Sequence, residues 1–124
     1  MIDFERNSIF KLTPVDVQSV AGEVEMMLVD GEQVLFGFKT IRDKVVITNK
    51  RIITINVQGI TGKKKDFTSL PFSKVQAFSV ETAGTLDLDC ELDLWFSGLG
   101  VVRLEISGRF DIRAFNRILS SYIL

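Results

Sequence analysis

The sequence predicts an α+β, mainly β, fold in a single domain spanning residues 1–124, and three observations carry that reading. Residues 34 to 107 are dominated by short β-branched and aromatic runs bounded by turn residues. Within them "LDLDCELDLWF", 86 to 96, alternates apolar and acidic positions, the period of a strand with one buried face. The last segment, "DIRAFNRILSSYIL", switches to a helical period. Strands followed by one amphipathic helix make a sheet with a helix packed on it. No repeat, linker or low-complexity stretch divides the chain, and its length suffices for a core without staples.

Residues 1–32 read as an N-terminal helical segment. Thr13-Pro14 followed by Asp16 looks like a helix start, with Thr13 as N-cap, Pro14 in the first turn and an acid at the positive end of the dipole. Gly22 ends it, and "EVEMMLVDGE", 23 to 32, reads as a second short helix closed by Asp30-Gly31. Strands follow in "VLFGFKT", "KVVIT", "RIITINV", "KDFTSLPF", "VQAFSVE", 86 to 96, and "VVRLEIS". Pro71 marks a bend or an edge position, and Gly98-Leu99-Gly100 a turn. In the capping helix, 110 to 124, Ile112, Phe115, Leu119, Tyr122 and Ile123 form one apolar stripe. Arg109, Arg113 and Arg117 take the other side, and Asp111 caps the start.

"VVITNKRIITI", 45 to 55, poses a packing problem. With Asn49-Lys50 as a two-residue turn, and Asn suited to positive φ, Ile47 opposes Ile52 and Val46 opposes Ile53. One face then carries Val45, Ile47, Ile52 and Thr54, and the other Val46, Ile53 and Ile55. Both are apolar, so the second face requires a cover, either helices or a neighbouring subunit.

Composition excludes several chemistries. The chain has no histidine and one cysteine, which removes the usual neutral-pH base, the Ser-His and Cys-His couples, and thiolate or histidine zinc sites. No enzyme activity, cofactor or metal is expected. Strand alternation puts Cys90 in the core as a small hydrophobe. Asp87, Asp89, Glu91 and Asp93 share the opposite strand face, but their spacing fails an EF-hand: Leu92 stands where its glycine belongs. A single cysteine, an acid in "MIDFERNSIF" where a signal peptide needs bases, and no long apolar run point to the cytoplasm. The net charge of −1 gives no overall pull toward nucleic acid, and no aromatic residues interleave with the lysines.

"TNKRII", "QGITGKKKDFTSLPF", "FSVETAGTLDLDCEL" and "LWFSG", within residues 41 to 98, resemble the bacterial pleckstrin-homology-like family, once a domain of unknown function. The resemblance implies a strongly bent barrel of seven antiparallel strands capped by a C-terminal helix. It also implies ring-shaped homo-oligomers, often pentamers, and no established catalytic activity. Charge separation along the chain suits a head-to-tail ring. Residues 39 to 65 carry a net +7, and residues 81 to 93 a net −5. The sequence reading is therefore a self-assembling module that presents a multivalent surface to an unidentified protein partner. Its candidate subunit interface is Val46, Ile53, Ile55, Asp87, Asp89, Glu91 and Asp93. The alternative is binding of an anionic ligand or membrane surface through Lys39, Arg42, Lys44, Lys63, Lys64 and Lys65, since eukaryotic relatives of the fold bind phosphoinositides near the first hairpin loop. "GITGKKK" is not a phosphate-binding Walker loop, because the glycine spacing is too short.

Overall fold

The computed structural model describes residues 9–84 and 89–124. Eight strands form one sheet: β1 (Ile9–Val15), β2 (Val34–Lys39), β3 (Lys44–Thr48), β4 (Arg51–Gln58), β5 (Lys64–Pro71), β6 (Val75–Glu81), β7 (Cys90–Phe96) and β8 (Gly100–Ile106). Their order is β5-β4-β3-β2-β1-β8-β7-β6. Helix α1 (Gln18–Val24), extended by a 3-10 turn over Glu25–Met27, lies between β1 and β2, and α2 (Ile112–Ile123) closes the chain.

The expected mainly β fold closed by a C-terminal helix is the one observed, and only the details of the seven-stranded antiparallel barrel are corrected. The sheet has eight strands, it is not closed, since β5 and β6 end it, and β1 pairs with β8 in parallel. The extra strand is where a helix start was expected. Thr13 and Pro14 lie in β1 opposite Lys39 and Phe38, and the helix begins beyond them, with Asp16 Oδ1 accepting from Gln18 N at 2.9 Å. Pro14 falls after Leu12, the last partner of β8, where a missing ladder N–H is tolerated. The second expected helix reduces to the single 3-10 turn.

The β3–β4 hairpin keeps its expected register, Ile47 with Ile52 and Val46 with Ile53. Its turn differs. Among the described residues Lys11 is the only non-glycine with positive φ, so Asn49 does not supply one. Instead Thr48 Oγ1 accepts from Lys50 N and Arg51 N at 3.0 Å, a side-chain-made turn.

The two faces of the hairpin enter different cores. Val45, Ile47 and Ile52 join Leu12, Phe38, Leu70, Leu92, Leu94, Leu104 and the α2 stripe in one cluster fed from nearly every strand, so the sheet curls around it. Phe36, Phe38, Phe110 and Phe115 meet edge to face there, with centroids 4.8–6.2 Å apart. Asp111 caps α2, its Oδ1 accepting from Ala114 N at 3.0 Å. Ile112, Phe115 and Leu119 are buried, whereas Tyr122 at the end of the stripe is 44% exposed.

Val46, Ile53 and Ile55 form the second core with Val20 and Val24 of α1, flanked by Val15, Met27, Leu28 and Val34. Gly37 makes this possible. A Cβ there would stand 2.5 Å from Val20 Cγ2, so only glycine lets α1 lie this close to β2. The cover on the second face is the chain's own helix.

Candidate anion-binding site

Strand directions gather the basic residues at one end of the sheet. β2 and β4 run toward that end and β3 and β5 away from it, so the β2–β3 loop (40–43) and the β4–β5 loop (59–63) are adjacent tips, while the β3–β4 turn lies at the opposite end. Arg42 Nη2 donates to Gly59 O at 3.0 Å and ties the tips together. The β2–β3 loop is closed on itself: Thr40 N donates to Asp43 O at 2.8 Å and Asp43 N to Thr40 Oγ1 at 2.9 Å. Asp43 turns its carboxylate toward β4, where Oδ1 accepts from Val57 N at 3.1 Å and Asn56 Nδ2 at 3.2 Å.

Between this loop and β1 lies an open groove of about 790 Å³ lined by Lys11, Thr13, Lys39, Thr40, Arg42 and Lys44, with Ile41 and Asp43 in its wall. Lys11 has a φ of 54° at the register shift between Ile9 and Leu12. This left-handed backbone costs a non-glycine residue roughly 1–2 kcal/mol. Backbone strain of this kind clusters at functional sites.

The six sequence candidates separate into two groups. Lys44 is paired with Glu23 of α1, and Lys65 reaches the same carboxylate at 3.8 Å, so their charges are shared internally. Lys39, Arg42, Lys63 and Lys64 remain exposed, and with Lys11 they form no ion pair among the described residues. Lys11 was missed from sequence because it lies in a stretch read as part of the helical segment. Its arrival at the groove depends on β1 pairing with β2.

The candidate subunit interface is not assembled on the surface. Val46, Ile53 and Ile55 are at most 1% exposed beneath α1, a correction forced by the close approach at Gly37. Asp93 accepts from Arg103 Nε at 2.9 Å and Nη2 at 3.1 Å, and Glu91 meets the same guanidinium at 2.7 Å. Asp89 accepts from Gly108 N at 3.2 Å, and Asp87 lies outside the described residues. Cross-strand register sets Glu81, Glu91 and Glu105 side by side. Burial, then Asp93, Glu81 and Glu105, push the Glu91 carboxyl above its ordinary value, against the pull of Arg103. Cys90 is buried, and burial, then Asp89, raise its thiol pKa, which suppresses the reactive thiolate.

At the opposite end the sequence reading missed a buried ionic network. The Glu32 side chain is fully buried, and its carboxylate accepts from Arg51 Nε at 2.9 Å, Thr48 Oγ1 at 2.6 Å and Val29 N at 3.1 Å. Arg51 also donates to Met27 O at 2.6 Å and Ser69 Oγ at 3.0 Å. Burial pushes the Glu32 pKa up, but these hydrogen bonds together outweigh it and the net direction is down.

No described helix is long and apolar enough to cross a membrane, and no described cluster of three or more Cys, Asp or Glu could hold a metal ion. A family model described as "Bacterial PH domain" matches residues 3–123. The Bacillus subtilis (strain 168) protein YjqA, described as uncharacterised, is 50% identical over 80 residues, 64% of each chain. The chain thus spans just under two thirds of that relative. YozO of the same organism is 29% identical, covering 83% of this chain and 89% of its own. A DUF1696 family protein with a pleckstrin-homology domain from Shewanella loihica PV-4 superposes with a TM-score of 0.78 at 36% identity, covering 93% of this chain and 99% of its own. A pleckstrin homology domain from Shewanella amazonensis SB2B gives 0.65 at 39% identity, covering 89% and 90%.

Proposed function

The chain belongs to the bacterial PH domain family, and from that premise we propose that it is a non-catalytic binding domain whose basic groove takes a phosphate-bearing or similarly anionic ligand. One observation carries the reading. Lys11, Lys39 and Arg42 line the groove without an acidic partner among the described residues, and the carboxylate in its wall, Asp43, is turned into hydrogen bonds with β4. A concave surface lined by one sign of charge concentrates counter-ions of the other. Calorimetric titration with inorganic pyrophosphate tests this. The wild type should bind, and Lys39→Glu with Arg42→Glu should abolish the heat while circular dichroism stays unchanged. Equal binding by wild type and the double variant would place the ligand elsewhere.

The self-assembling reading, with its protein partner, keeps one supporting observation, the open edges of β5 and β6. Copies joined along those edges would present several grooves at once and multiply weak contacts. Light scattering at about 50 μM, where contacts of micromolar Kd persist, should then give a multiple of 14.0 kDa. A monomeric mass would end that reading and leave the groove as it is.

A further inference from the structure

The groove rim holds two residues that its polar chemistry does not use. Ile41, in the β2–β3 loop, and Ile60, in the β4–β5 loop, have 102% and 105% relative exposure, so neither packs against anything. A single exposed aliphatic residue is ordinary on a soluble protein. These two stand at adjacent tips, next in sequence to the residues of the Arg42–Gly59 hydrogen bond, on the end that also carries Lys39, Lys63 and Lys64. Met26 is as exposed, at 101%, but it belongs to the opposite end and follows Glu25.

Building on the anionic-ligand reading above, we propose that the source of the anion is an anionic bilayer surface, and that Ile41 and Ile60 enter its interfacial region together while the surrounding cations meet the headgroups. Apolar tips ringed by lysine and arginine combine the two terms of interfacial attachment, apolar burial and attraction to acidic lipid. The tie between the loops fixes the two isoleucines at one end, so both can enter one surface without a change in the fold. A free phosphate would engage the cations and leave both isoleucines in water.

Flotation of the full chain with vesicles of equal parts phosphatidylglycerol and phosphatidylcholine tests the proposal. Ile41→Ser and Ile60→Ser should each lower partitioning about tenfold, since partial burial of one isoleucine corresponds to roughly that factor. Pyrophosphate binding should be unchanged in Ile60→Ser, since Ile60 does not line the groove. In a Trp95→Phe background, Ile60→Trp should shift its emission to the blue on vesicles and be quenched by brominated acyl chains. Vesicle binding that ignores both serine substitutions, or an unquenched tryptophan, would overturn insertion and leave the groove reading standing. Pyrophosphate binding without vesicle binding would assign the groove to a free anion and overturn the bilayer. Loss of both probes in the wild type would defeat the groove reading as well.

Discussion

At the β3–β4 turn the guanidinium of Arg51 donates to Glu32, Ser69 and a backbone carbonyl, and Glu32 in turn accepts from Arg51, Thr48 and Val29. At the other end of the same strands Arg42 makes one hydrogen bond to Gly59 O, and Lys11, Lys39, Lys63 and Lys64 form no ion pair among the described residues. Both ends are rich in cations. At the turn the charge of Arg51 is mostly buried, is satisfied by Glu32 and acts on the fold. At the loops it is exposed and surplus, which leaves it available to a ligand. Position along a strand thus separates structural charge from candidate binding charge where residue type does not.

The largest expected effect lies at the saturated end. Glu32→Ala removes the acceptor of three donors and leaves Arg51 without its counter-ion, a loss of about 3–5 kcal/mol for breaking a buried pair, readable as a lowered denaturant midpoint. The same carboxylate sets an acid limb. Its folded pKa is depressed below the ordinary 4.5, so its contribution is complete above that value and is lost as pH falls through the folded one. Glu91 runs the other way. Its raised pKa lowers stability as pH climbs past 4.5, so acid relieves it. Glu32→Gln should therefore flatten the acid loss of stability seen in wild type. An unchanged acid limb would remove Glu32 from its cause.

Gly37→Ala tests what joins α1 to the sheet. A Cβ 2.5 Å from Val20 must displace the helix, costing about 1–3 kcal/mol as overpacking. A neutral substitution would mean that α1 yields freely. Thr54 sharpens the contrast with Thr48. Both are fully buried in the same hairpin, but Thr54 Oγ1 has no hydrogen-bond partner among the described residues. Thr54→Val should stabilise by about 1 kcal/mol and Thr48→Val should destabilise, since the cost of a hydroxyl depends on its partners. The smallest stability effect belongs to Glu23→Gln, at most about 1 kcal/mol for a partly exposed pair. It frees Lys44 and Lys65, so pyrophosphate should bind more tightly. Weaker binding would show that Glu23 orders the site instead of competing with the ligand.

Local signals were legible and distant ones were not. The register of β3 with β4, the buried phase of Cys90, Leu92, Leu94 and Phe96, and the Asp111 cap depend on neighbours a few residues away. β1 was not legible, because Thr13-Pro14-x-Asp16 satisfies a helix-start pattern locally and becomes a strand only by pairing with β2 and β8. The eighth strand, the parallel pair and the place of Lys11 all went unseen with it. Lys39 and Arg42 could be named because loop cations are visible in a sequence. The pairing of Lys44 with Glu23, across 21 residues, could not be, since it exists only once Gly37 admits α1 to the sheet. The apolar face of Val46, Ile53 and Ile55 was recognised as needing a cover, but the choice of cover turned on that same glycine.

The central claim, that the loop end and not the turn end meets an anion, is tested most directly by mapping backbone amide shifts in nitrogen-15-labelled protein during pyrophosphate titration. Saturable shifts at Lys11, Lys39 and residues 40 to 44, with Glu32, Asn49 and Arg51 unmoved, are the predicted result. Shifts concentrated at the β3–β4 turn, or spread evenly over every exposed lysine without saturation, would contradict it.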